Sequence, residues 1–352
     1  MPSPSKSRRP KRHASFLGVL GGFTVVVLAA ACFILTWPQA LGLEQTIGIA
    51  QLISFRAALG IGAICFLVPA LLILGAAPRG QRFLPGLSCL IVAAFIVAQG
   101  GILVMRGFSS GLVEGEPAAD AIRVLSWNTR GDEPGSPTIA KLAVEQQADI
   151  VALPETTEEM ATEVANLMAE SGRPMWVHTR VFDEDYRATA TSLLISPDLG
   201  DYAIDESRGD TSTLPTVIAR PTSGEGPTIV AAHPIAPLPE HMQQWRSDLS
   251  WLALQCTNNT IMAGDFNATL DHLDRLGIDG ADFGECSDAA LSTRDAANGT
   301  WSAGVAAPLA APIDHIMATS QWQAGQFEVI EDYDLAGSDH RPVAATLVAV
   351  SE

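Results

Sequence analysis

Ile261-Met262-Ala263-Gly264-Asp265-Phe266-Asn267 is the stretch on which the fold turns. Its apolar opening suits a β-strand buried on both faces, and its polar residues arrive only where that strand stops. Asp265 and Asn267 stand two apart, so in an extended segment their side chains share one face while Phe266 turns the other way into packing. The same pattern recurs on either side. Arg123-Val124-Leu125-Ser126-Trp127-Asn128 closes on an amide, Asp149-Ile150-Val151-Ala152-Leu153-Pro154-Glu155 on a carboxylate, and Ile229-Val230-Ala231-Ala232-His233-Pro234 on an imidazole. Farther along come Ile313-Asp314-His315-Ile316 and Gly337-Ser338-Asp339-His340-Arg341-Pro342.

Around these fragments, β-rich runs are expected at 123–127, 149–153, 191–196, 228–233, 260–263, 313–319 and 343–350. Between them lie segments of helical period. In 239–255, Met242, Trp245, Leu249 and Leu252 fall on one side. In 156–170, Thr156 or Thr157 stands ready to cap a helix with acids in its first turn and Met160, Val164, Leu167 and Met168 available for packing. Strands alternating with covering helices predict a layered α/β or α+β domain that begins near Asp120.

Taken in order, the six strand-end fragments resemble the endonuclease/exonuclease/phosphatase superfamily over about residues 121 to 349. That resemblance implies an α+β fold of four layers, an α/β/β/α sandwich in which two mixed sheets pack face to face with helices outside. It also implies metal-assisted attack of water on a phosphoester. The residue chemistry agrees, because a phosphate ester repels nucleophiles and needs a cation, a base for water and a donor for the leaving oxygen. The oxygens of Asn128, Glu155 and Asp339 are hard ligands suited to Mg²⁺ or Mn²⁺. By resemblance, Asp265 orients or deprotonates the attacking water and Asn267 holds a phosphate oxygen. The same resemblance implies that Asp314 hydrogen-bonds His340, fixing its tautomer and raising its pKa. Either His340 or Asp265 could be the base. His233 matches a histidine that contacts phosphate or protonates the leaving group, whereas His315 should point away and is left out of the site. Arg130, Arg187 and Arg341 are further candidates for phosphate contact.

Two departures from the family pattern stand out. Arg130 occupies a position where many members carry an acid, and Pro154 one where many carry Gln, which puts a second metal position in doubt. The segment His233-Pro234-Ile235-Ala236-Pro237 also differs from the His-Leu pattern of the nucleases and looks like that of membrane-tethered bacterial relatives.

The N-terminal third has a different character. Residues 1–106 hold nine Lys/Arg and one acid, Glu44, for a net +8, while 107–352 hold twelve Lys/Arg and thirty-eight acids, for a net −26. Three apolar stretches, 16–37, about 57–77 and 83–105, are each long enough to cross about 30 Å of hydrocarbon. A cleaved signal peptide is the competing reading of the first stretch, but no small-x-small site closes it and two more stretches follow. The organisation expected is a basic leader (1–15), a three-helix anchor (16–106), a linker (107–120) and the layered domain (121–352). Five basic residues precede the first stretch, and Arg79 and Arg82 lie between the second and third, which predicts a cytoplasmic N-terminus and an extracytoplasmic domain. Arg56, at the edge of the second stretch, is expected to snorkel. An oxidising compartment would let Cys256 and Cys286 pair, the alternative being two separate buried thiols.

The functional expectation is a membrane-anchored, multi-pass, metal-dependent phosphoesterase with the lipid bilayer as its surroundings and lipid-linked or cell-envelope phosphoesters as substrates. An extracellular nuclease and a non-catalytic binding module are the alternatives. The acidic domain repels a polyanion, so no stable nucleic-acid partner is expected.

Overall fold

The computed structural model describes residues 16–109 and 121–350. The basic leader and most of the linker lie outside them. Helices α1 (Phe16–Thr36), α3 (Arg56–Ala76) and α4 (Phe83–Arg106) are the three apolar stretches, and the short α2 (Ile49–Ile53) lies in the connection between the first two. All three long helices are apolar enough to cross a membrane by length and composition. Both α1 and α3 pack against α4.

The C-terminal part is a sandwich of two six-stranded mixed sheets. Its elements follow in the order β1 (Ile122–Ser126), α5 (Ser136–Glu145), β2 (Ile150–Pro154), α6 (Glu158–Glu170), β3 (Trp176–Val181), β4 (Ala190–Ile195), β5 (Tyr202–Ile204), β6 (Val217–Pro221) and β7 (Thr228–Ala232). Then come α7 (Met242–Ala253), β8 (Thr260–Asp265), α8 (Leu270–Leu273), β9 (Cys286–Asp288), α9 (Ala289–Thr293), β10 (Asp314–Thr319), β11 (Trp322–Val329) and β12 (Val343–Ala349). The first sheet runs β11-β12-β1-β2-β4-β3 and the second β5-β6-β7-β8-β10-β9. Each sheet has one parallel pair near its centre, β1 with β2 and β7 with β8.

Alternation along the strands builds three apolar layers. Val124, Ile150, Ile229, Ile261 and Ile316 point between the sheets. Their neighbours Leu125, Val151 and Leu153 point outward against Leu142 of α5 and Val164 and Met168 of α6. On the other outer face, Val230, Met262 and Met317 meet Trp245, Leu249 and Leu252 of α7. The predicted four-layer α+β fold is the fold observed. Thr157 caps α6 by accepting from the Met160 amide at 3.2 Å, which relieves one of the donors left open at a helix start. Cys256 and Cys286 are joined in a disulfide that ties the end of α7 to β9.

The helices are fastened to the sandwich by buried polar contacts. Arg56 does not snorkel; its side chain is 3% exposed and its Nε and Nη2 each donate to the Asp271 carboxylate at 2.6 Å. Arg106 reaches the same carboxylate at 2.8 Å, and Gln99 accepts from Arg56 Nη1 at 2.9 Å. A buried guanidinium needs a carboxylate more than it needs water, and α8 supplies one at the helix end. Burial opposes the charge on Asp271, but Arg106 and Arg56 more than reverse this and hold its carboxyl well below the usual range. Ala50 of α2 joins the apolar layer around α7, and its carbonyl lies 3.1 Å from His272 Nε2. Residues 107–109 are also bonded to the sandwich, through Ser109 N to Arg294 O and Ala297 N to Gly107 O.

Candidate active site

The polar strand-end residues converge at one end of the sandwich. Asn128 follows β1 and Glu155 follows β2, while Asp339 and His340 precede β12, the antiparallel partner of β1. From the second sheet, His233 follows β7, Asp265 ends β8 and is followed by Asn267, and Asp314 opens β10 opposite Asp265. Asn128 Nδ2 bridges the two sheets, donating to Glu155 Oε1 at 3.0 Å and to Asp265 Oδ2 at 3.1 Å. Gly264 makes the approach of β7 and β8 possible, because a Cβ there would sit 2.1 Å from the Ala232 carbonyl oxygen. Glu155 (φ 54°) and Asn267 (φ 47°) both adopt left-handed backbone, a conformation that glutamate rarely takes and that concentrates at functional sites.

Asp265 is the hub. Its carboxylate accepts from the Asn267 amide at 2.8 Å and Asn267 Nδ2 at 3.1 Å, and it lies 3.7 Å from His340 Nε2. Burial raises its pKa to about 7, against the lowering pull of His340. His340 Nδ1 bonds Asp314 Oδ2 at 2.9 Å. Burial disfavours the charged imidazole, but the carboxylates of Asp314 and Asp265 override it and raise His340 to about 10. Nearby, burial pushes the Glu155 carboxyl up despite the Asn128 hydrogen bond.

His233 is fully buried, with Nδ1 3.2 Å from the Thr191 hydroxyl. Its Nε2 has no hydrogen-bond partner and lies 3.9 Å from Glu155 Oε1. Burial and then the charge of His340 lower its pKa to about 3. Its unpartnered Nε2 beside Glu155 is placed to meet a phosphate oxygen, one of the two roles expected from the sequence. If the Thr191 hydroxyl donates to Nδ1, the proton sits on Nε2 and faces the cluster.

All eight residues expected from the sequence thus adjoin one cluster; Asp339 acts electrostatically on both Glu155 and His340. His315 points away, bonded to Asp288 at 2.7 Å and to the Ala268 carbonyl at 2.9 Å. Arg341 is a correction: it is 1% exposed and bound to Asp334 at 2.6 Å and to the Val305 carbonyl at 2.7 Å. It braces the loop before β12 and reaches no phosphate. Arg130 and Arg187 remain exposed near Asp339 and Asp132. No local sequence signal marks Trp301, whose indole donates to Asp339 Oδ2 at 3.1 Å. None marks Trp127, which donates to the His340 carbonyl at 2.9 Å, or Thr191.

The profile of the endonuclease/exonuclease/phosphatase family matches residues 125–340. The chain belongs to this family. It is accordingly a phosphoester hydrolase of a divalent-metal-dependent superfamily. Among solved structures, D. rerio TDP2 humanised by 14 mutations is 17% identical, with a TM-score of 0.50 over 65% of this chain and 99% of that one. An endonuclease/exonuclease/phosphatase from Bacteroides vulgatus is 15% identical, with a TM-score of 0.48 over 65% and 99%. No curated protein matches the sequence.

Among the described residues, Asp265, Asp314 and His340 form a group compact enough to hold a metal ion, with ligand atoms within 4.8 Å of one another. An ion there would have to displace the His340–Asp314 bond and strip a strongly held proton from the imidazole. Glu155 and Asp339, together with the side-chain carbonyl of Asn128, offer oxygens of the hard type that Mg²⁺ and Mn²⁺ prefer, without that conflict. Two neighbouring carboxylates, one of them destabilised by burial, fit a cation.

Proposed function

We propose that the chain is a membrane-anchored phosphoesterase whose domain stands outside the cytoplasm and acts on phosphoesters at the bilayer surface, with Asn128, Glu155 and Asp339 holding Mg²⁺ or Mn²⁺. The single observation that carries the reading is the convergence of polar residues from strand ends of both sheets on Asp265. A bound divalent ion supplies positive charge to the phosphate oxygens and so lets water approach phosphorus. Asp265 orients that water and accepts its proton, held in place by the Asn267 amide and Asn128. His340, fixed by Asp314, stays protonated beside it and supports the negative charge of the reacting phosphate. Neutral His233 donates to a phosphate oxygen, while Asn267 Nδ2, which donates to the Asp265 carboxylate and the Pro234 carbonyl, positions Asp265.

Anchoring is supported by the three apolar helices, and orientation by the basic residues on one side of them. The disulfide fits an oxidising compartment. A nuclease remains the second reading, favoured by the family itself and opposed by the acidic surface. The test is Mg²⁺- or Mn²⁺-dependent hydrolysis by the full chain in lipid nanodiscs, with phospholipid and supercoiled plasmid offered in parallel. Release of a lipid headgroup without plasmid nicking is the expected result. Efficient nicking with no lipid cleavage would overturn the substrate assignment in favour of a nuclease.

A further inference from the structure

An apolar path leads from the candidate site into the helical bundle. Helices α1 and α3 both pack on α4, and α3 reaches α1 where Arg56 Nη1 and Nη2 donate to the Leu35 and Thr36 carbonyls at 3.4 Å. Between the two helices runs a groove of about 580 Å³, lined by Leu35, Leu52 and Phe55 at its domain end and by Ala31, Ala58 and Gly62 farther in. A second groove of about 600 Å³, which shares Phe66 with the first, continues toward the other end of the bundle.

The domain end of this groove abuts the catalytic cluster. The Phe55 ring lies 6.2 Å from that of Trp301, and Trp301 is the residue whose indole holds Asp339. On another side, Gln51 of α2 donates to the Pro237 carbonyl, in the loop that leaves His233. Two of the loops that border the site therefore rest on the corner between α2 and α3, where the groove begins. The rim there is apolar and open, with Leu52, Leu238 and Trp301 all exposed.

We propose that the groove seats the hydrocarbon chain of a lipid phosphoester while its phosphate occupies the candidate site, with Phe55 and Trp301 at the bend between them. This rests on the phosphoesterase and membrane readings above. The lining favours such an occupant on two grounds. It offers almost no polar partner, so an extended peptide would leave its backbone unsatisfied there. The groove's volume of about 580 Å³ is also well below that of a membrane-spanning helix about 10 Å across and about 30 Å long.

The test uses the full chain in nanodiscs and two substrates with the same scissile bond, methyl para-nitrophenyl phosphate and hexadecyl para-nitrophenyl phosphate. A Cβ at Gly62 would meet nothing within 4 Å, so Gly62→Leu fills the groove without straining α3. The ratio of kcat/KM for the hexadecyl substrate to that for the methyl substrate should fall by about tenfold or more, since about two methylenes kept out of an apolar site are worth that factor. Val97→Phe, on the exposed face of α4 outside the groove, should leave the ratio as in the native chain. An unchanged ratio in Gly62→Leu, or an equal fall for both substrates, overturns the groove. A native chain that hydrolyses neither substrate overturns the phosphoesterase reading instead, and the groove with it. As a readout free of turnover, hexadecyl phosphate with a diazirine in its tail should label the α1 and α3 segments that line the groove, and Gly62→Leu should suppress that labelling. Labelling confined to the outer face of α4 contradicts the proposal.

Discussion

Replacing Asp271 by Asn removes one negative charge and almost no volume from the junction between helices and sandwich. The Arg56 side chain is 3% exposed and that of Asp271 4%, so neither can turn to water when its partner is lost. Arg106, at 14%, has a partial escape. Breaking a buried pair by removing one member costs about 3–5 kcal/mol, because the remaining ion stays desolvated. Asp271→Asn should therefore destabilise the full chain by about that amount, read as a shift in urea or thermal unfolding followed by tryptophan fluorescence in detergent micelles. The sign of the pH dependence follows from the depressed carboxyl: its stabilisation is present above the unfolded pKa and is lost as pH falls through the folded one. The gap between native and variant chains should thus narrow in acid. A companion variant, Arg56→Met with Asp271→Leu, should lie closer to native stability than Asp271→Asn alone, since replacing a buried pair by apolar groups is often nearly neutral. A loss below about 0.5 kcal/mol in Asp271→Asn, typical of a surface site, would refute the clamp.

Three further outcomes follow from the site. Asp314→Asn should keep the fold but lower kcat by about 10²–10⁴-fold, because His340 loses the carboxylate that fixes its tautomer and charge; unaltered kinetics would remove Asp314 from the mechanism. The pH profile of kcat/KM should rise as Asp265 loses its proton near 7 and decline as His340 loses its own near 10; a profile flat across both ranges would exclude this pair as base and supporting cation. Gly264→Ala should destabilise the chain by about 1–3 kcal/mol or more, since its Cβ would meet the Ala232 carbonyl, and unfolding measurements showing no loss would contradict the close approach of β7 and β8.

Much of this architecture was legible in the sequence where burial and chemistry coincide. β1, β2, β7, β8 and β10 are buried nearly throughout, so their apolar runs and polar ends stood out. The edge strands β3 and β11 escaped notice because they are half exposed and mix polar with apolar residues. The ten-residue α5 was passed over as well, lying behind the turn residues 131–135. At the site, spacing could place Asp265 and Asn267 on one face, yet nothing local marks Thr191 or Trp301, which reach His233 and Asp339 only through tertiary packing. Arg56 departs from the expected snorkelling for the same reason. Its partner Asp271 lies 215 residues away, and without that carboxylate in view the natural place for a cation at a helix edge is water.

The central claim is that the cluster around Asp265 hydrolyses phosphoesters with a divalent ion held at Glu155. Its most direct test is the rate of bis(para-nitrophenyl) phosphate hydrolysis by the full chain in nanodiscs, with and without chelator, for the native chain, Glu155→Gln and His340→Ala, each shown by thermal melting to be folded. The account predicts Mg²⁺- or Mn²⁺-dependent turnover that chelator abolishes, and a loss of about 10²-fold or more in either variant. Folded variants that retain native turnover, or native turnover indifferent to chelator, would contradict it.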